Sequence, residues 1–153
     1  RGPGAVLQVL RTSTAMANYT TTSDTFSERA SLTMTPTQAG SDFLIQLTCR
    51  PNTYGGDNVS SLASVKFTRN VDSGGDTNIA TVDESLKIYV DTAANYITAA
   101  CVMGPPAPIW WYDEAPSYSL GDSIVFKFWF ACHGGTSSIQ PTDGYMLVTE
   151  VAN

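Results

Sequence analysis

Apolar and polar residues alternate along most of this chain. In "ASLTMT", Ala30, Leu32 and Met34 share one side and Ser31, Thr33 and Thr35 the other, the period of a strand with one face in water. In "DFLIQLTCR", Phe43, Ile45, Leu47 and Cys49 fall together. The intervening "TPTQAGSD" supplies Pro36 and Gly40 as turn residues, which predicts a hairpin. The pattern continues in "LASVKFTRN", "ESLKIYVD", "NYITAACVM", "SIVFKFWFAC" and "GYMLVTEVA", separated by "SGGD", "DTAAN", "GPPAP", "SLGD" and "HGGTSS". Eight to ten short strands joined by turns rather than helical crossovers predict an all-β fold, an antiparallel β-sandwich of jelly-roll type.

Three strands are apolar on both faces. In "AVLQVL" the sets Ala5/Leu7/Val9 and Val6/Gln8/Leu10 are both largely apolar, and in "YMLVTEVA" so are Tyr145/Leu147/Val151 and Met146/Val148. In "SIVFKFWFAC", Ile124, Phe126, Phe128 and Phe130 form a core face, while Val125 and Trp129 flank Lys127 on the other. Loops of the same chain could cover such outer faces, and so could further copies of the chain. Because homo-oligomer interfaces are richer in apolar area than ordinary surface, self-assembly is the favoured expectation. Its candidate interface residues are Leu7, Val9, Val125, Trp129, Met146 and Val148.

The stretch "GPPAPIWWYDEAP" interrupts the pattern with four prolines, which cannot donate to a strand ladder, and is expected to be an exposed loop. There Trp110, Trp111 and Tyr112 meet Asp113 and Glu114, aromatics that could stack on a sugar whose hydroxyls the carboxylates accept. Packing beneath the loop or between subunits would use the same side chains equally well. A second candidate recognition loop, "PNTYGGDN", offers Tyr54, Asp57 and Asn58 beside paired glycines.

Composition sharpens the picture. Charged residues are 14% of the 153, while Thr and Ser number 19 and 15, a balance suited to half-solvated strands and one domain. A net charge of -6 argues against a nucleic-acid partner, which needs Lys and Arg on phosphates. The apolar runs are far shorter than the ~20 residues of a membrane-spanning helix, so no membrane insertion is expected.

Chemistry finds few candidates. His133 is the only histidine, and the adjacent Cys132 would point to the opposite face of a strand, which is poor geometry for a nucleophile and its base. One histidine and three dispersed cysteines do not match zinc-ligand spacing, and the odd cysteine count favours buried thiols, with one bridge left open. The carboxylate pairs Asp83-Glu84 and Asp113-Glu114 read as solvated turns rather than a glycosidase pair. No catalytic activity, metal or cofactor is expected.

Taken in order, "GAVLQVL", "TTTSDTF", "LTMTPTQAGSDFLIQL", "VKFTRN", "YDEAPS" and "YMLVTEVA" resemble the carboxy-terminal tip domains of bacteriophage tail fibres, of the type common in phages of aquatic bacteria. The resemblance implies a homotrimeric β-sandwich head on a virion fibre, without catalytic residues, whose distal loops meet a host cell-surface glycan or protein. The proline-rich loop with its Trp pair and the three cysteines depart from that pattern, which leaves the receptor open. Residues 1–4 are then expected to end a stalk, and residues 5–153 to form the head. A capsid-surface fibre or decoration protein, and a monomeric carbohydrate-binding module, are the competing expectations.

Overall fold

The computed structural model describes residues 3–55, 61–88, 99–102, 107–114, 116–133, 135–140 and 144–153. In chain order its strands are β1 (Val6–Arg11), β2 (Tyr19–Thr21), β3 (Ser27–Met34), β4 (Asp42–Gly55), β5 (Ser61–Val71) and β6 (Thr77–Ile88). They are followed by β7 (Ala99–Val102), β8 (Ala107–Asp113), β9 (Ile124–His133), β10 (Thr136–Gln140) and β11 (Met146–Val151). Every pairing between them is antiparallel.

The long strand β4 explains how these segments make a sandwich. Along one side of it lie β11 and β10 end to end, with Met146 opposite Leu47 and Gln140 opposite Arg50. Along the other side lie β8 and β7, with Ala107 opposite Cys49 and Val102 opposite Asn52. On the outer side of β11 and β10 run β1 and β2. Joining the segments that lie end to end reduces the eleven strands to eight lines in two four-line sheets. The first is β1/β2, β11/β10, β4, β8/β7, and the second is β3, β9, β5, β6. Numbered by chain position, the lines run 1-8-3-6 and 2-7-4-5, the strand order of a jelly roll.

Side-chain alternation places the core between the sheets. Ile124, Phe126, Phe128 and Phe130 of β9 are fully buried and face Phe43, Ile45 and Leu47 of β4, while Val125, Lys127 and Trp129 turn outward and are half-buried. Tilted ring pairs at 5.2 Å (Phe43–Phe126) and 5.3 Å (Phe67–Phe128) fill the layer. Each such buried side chain stabilises the fold by roughly 1.5–3 kcal/mol.

Three expectations are corrected. The segments around "TPTQAGSD" are not a hairpin: β3 pairs with β9 in one sheet, and β4 lies in the other. Both strands are amphipathic, and crossing between sheets turns their apolar faces toward each other, which side-by-side pairing would not. Met146 and Val148 are no outer face, because both are wholly buried in the core. The outward positions of β11 belong instead to the half-buried Leu147 and Val151. Finally, residues 107–113 are not loop but strand β8, which among the described residues is the edge of its sheet, where Pro108 opposite Thr48 is tolerated because one side of an edge strand needs no donors.

Gly4 and Ala5 pair with Ala152. Gly4 N–H donates to the Ala152 carbonyl at 2.6 Å, and Ala152 N–H returns to Ala5 at 2.9 Å, continuing the β1–β11 ladder.

Candidate functional site

Strand β8 carries the aromatic cluster singled out in the sequence, and its register decides where each side chain goes. Directly opposed residues of an antiparallel pair share a face. Trp111 therefore lies on the side of the buried Ile45, and Asp113 on the side of the buried Phe43, whereas Tyr112 shares the outer side with Leu44. Because β8 is an edge, Trp111 remains 40% exposed and Tyr112 42%. The two rings consequently point to opposite faces and do not form one stacking platform. The backbone of Trp110 pairs with Gln46, and its side chain lies outside the described residues.

Two polar contacts lock this edge. The Tyr112 hydroxyl donates to Asp42 at 2.7 Å, and that bond, with burial and the charges of Asp42 and Glu114, pushes the phenol up to about 12. Asp113 is 6% exposed and receives Arg69 Nη1 from β5, a residue of the opposite sheet. Burial pushes the Asp113 carboxyl above the usual carboxylate range, and the hydrogen bond and charge of Arg69 pull it back only in part. Asp113 is thus a tie between sheets rather than an offered ligand group.

The second candidate loop is only partly placed. Tyr54 pairs through its backbone with Thr136 and Ala100 near the end of β4, its side chain lying outside the described residues, as do Asp57 and Asn58 altogether.

The interface candidates divide between two surfaces. On β1, Leu7 is half-buried, whereas Val9 is 53% exposed and its neighbour Val6, across a register shift, 56%. On β9, Trp129 donates from Nε1 to Thr68 at 2.9 Å and is flanked by the ammonium groups of Lys66 and Lys127 at 4.9 and 5.6 Å from its ring. Lys127 in turn holds Asp76 at 3.0 Å. That outer face, with the half-buried Val125, is therefore largely covered by its own cations and their partners.

The most completely satisfied polar group was not foreseen. Glu150 of β11 has no exposure and points to the core side, where it accepts hydrogen bonds from Gln8 Nε2 (2.7 Å), Thr37 N–H (3.0 Å), Thr37 Oγ1 (2.9 Å) and Gln38 N–H (3.1 Å). Burial pushes its carboxyl up, but these donors outweigh burial and leave it below the usual range. The carboxylate pins the turn between β3 and β4 to both β1 and β11. The one hint in the sequence is a glutamate standing as the single charge of the final strand.

No family model matches the chain, and no curated protein is similar to it. Among solved structures it is similar to a chain in the structure of infectious bursal disease virus Gx strain, at 11% identity and a TM-score of 0.29 over 95% of this chain and 40% of that one. A chain of the Gt strain gives 9% identity and the same TM-score over 95% and 42%. This chain thus spans about two-fifths of the length of those viral chains, and a likeness this weak carries no argument about function.

Proposed function

We propose that this jelly-roll domain is a structural component of a virion, which assembles with two further copies of itself and attaches to a host cell-surface glycan or protein without catalysing a reaction. One observation carries the reading. The exposed apolar side chains Val6 and Val9 lie on β1 and Trp111 on β8, the opposite edge lines of one sheet. A head-to-tail contact joining one edge of a copy to the other edge of the next buries both, and with the right rotation such a contact closes into a ring. Jelly rolls recur in viral coat and lectin domains, both of which bind by surface rather than by reaction. The finer placement at the tip of a tail fibre rests on the resemblance of the sequence blocks.

Light scattering of the purified domain tests the assembly: three times 16.4 kDa is the expected mass. A stable monomer would overturn the trimer and leave the carbohydrate-binding module as the better reading. Immunogold labelling of the parent particle separates fibre tip from capsid surface. Binding of the fluorescent domain to whole host cells tests attachment.

A further inference from the structure

The segment linking β1 to β2 passes β3 at a distance and leaves a groove of about 630 Å³ between them. That volume is within the range of small-molecule sites. Its lining is mostly polar and includes Ser13, Thr14 and Ser31 together with two arginines, Arg11 and Arg29.

Both arginines are poised rather than spent. Arg29 is the extra residue of a register shift between Glu28 and Ala30, the kind of bulge that re-aims a side chain at a sheet edge. Its guanidinium stacks on the Tyr19 ring at 3.7 Å from the centroid, and Arg11 lies over Tyr145 at 4.6 Å. Stacking fixes the planes of the two forks and leaves their edges as donors. Elsewhere Arg69 and Lys127 are each matched to a carboxylate, whereas among the described residues neither Arg11 nor Arg29 has one within ion-pair distance. The buried Nε of Arg29 meets no acceptor among the described residues.

We infer that this groove binds a carboxylate-bearing sugar, with the planar carboxylate received by Arg11 and Arg29 and the sugar hydroxyls by Ser13, Thr14 and Ser31. Planar guanidinium forks match a carboxylate in shape as well as charge. The class is narrowed by what else is present. Glu28 also lines the groove, with its carboxylate 3.6 Å from Lys127, and the chain carries a net charge of -6. Both disfavour a polyanion and suit a ligand with a single negative group. The inference deepens the attachment reading by naming the class of host glycan, and to that extent rests on it.

Calorimetric titration of the intact domain with 3′-sialyllactose, monomeric galacturonic acid and lactose tests it. One of the two acidic sugars is expected to bind saturably, with lactose about tenfold weaker or more, the scale of a lost charge-assisted contact. Arg11→Gln and Arg29→Gln should each weaken binding by about the same factor while thermal unfolding shows the domain still folded. If Arg29→Gln fails to fold, the exposed Arg11 decides alone. Absence of binding by both acidic sugars, equal binding of lactose, or folded variants that bind like the parent would overturn the inference. Whole-cell binding without any acidic-sugar binding overturns the groove and leaves attachment standing. Sugar binding without cell binding does the reverse.

Discussion

Arg69 and Asp113 join the two sheets of the sandwich: Nη1 of the arginine on β5 lies 2.6 and 2.5 Å from the two carboxylate oxygens of the aspartate on β8. Their side chains are 14% and 6% exposed, so the pair closes an edge of the core that apolar side chains leave open. Breaking such a pair from one side strands a buried charge. Arg69→Ala is therefore expected to destabilise the domain by about 3 kcal/mol, the lower end of what buried pairs cost. Replacing both members with apolar residues should cost less than that single change, and urea unfolding of the three proteins checks the order.

Glu150 and Asp113 are predicted to give opposite slopes of stability with pH. For Glu150 the folded value is depressed, so its contribution is present above the unfolded value near ~4.3 and is lost as pH falls through the folded one. For Asp113 the folded value is raised, so its contribution is present below the unfolded value near ~3.9 and is lost as pH rises through the folded one. Glu150→Gln should flatten the acid limb of the melting temperature as pH falls below about 4.3, and cost about 1–3 kcal/mol at neutral pH. An unchanged acid limb would mean that another group drives it.

Val9→Asp separates assembly from folding. Val9 is 53% exposed, so in an isolated copy the change should alter stability by less than about 0.5 kcal/mol. Placed within an apolar contact between copies, the same carboxylate would be desolvated. The expected outcome is a folded monomer by light scattering where the parent is an oligomer.

Met146→Ala makes the contrasting case. The side chain is wholly buried among core residues, and its removal should cost about 2–5 kcal/mol of folding stability. Assembly should weaken only in proportion to the fraction unfolded, which thermal melts at two protein concentrations resolve.

Much of the sandwich was legible because strand period reports which side chains share a face. The β9 set Ile124, Phe126, Phe128 and Phe130 is buried as its alternation indicates, and Leu32 and Met34 follow the same rule on β3. Alternation says nothing of which strand lies beside which, so β3 and β4 read as a hairpin when they belong to different sheets. It also fails where both faces are apolar: nothing in "YMLVTEVA" distinguishes the Met146 side from the Leu147 side. Four prolines concealed β8, because an edge strand tolerates what a central one does not. The role of Asp113 was hidden for a simpler reason, since its partner is 44 residues away. Likewise Arg11 and Arg29 carry no motif, and only the crossing of the chain past β3 brings them to one groove.

The ladder between Gly4, Ala5 and Ala152 has a practical consequence for handling this domain. Since Gly4 and Ala152 lie side by side, a short linker could join these two positions and new ends be opened at a surface turn such as Asp72–Gly75, giving a circularly permuted domain with the same core. For the same reason the whole unit could be spliced into a loop of a host protein without stretching that loop apart. A jelly roll with adjacent ends is, in engineering terms, a cassette: it can be carried at the end of another chain or within it.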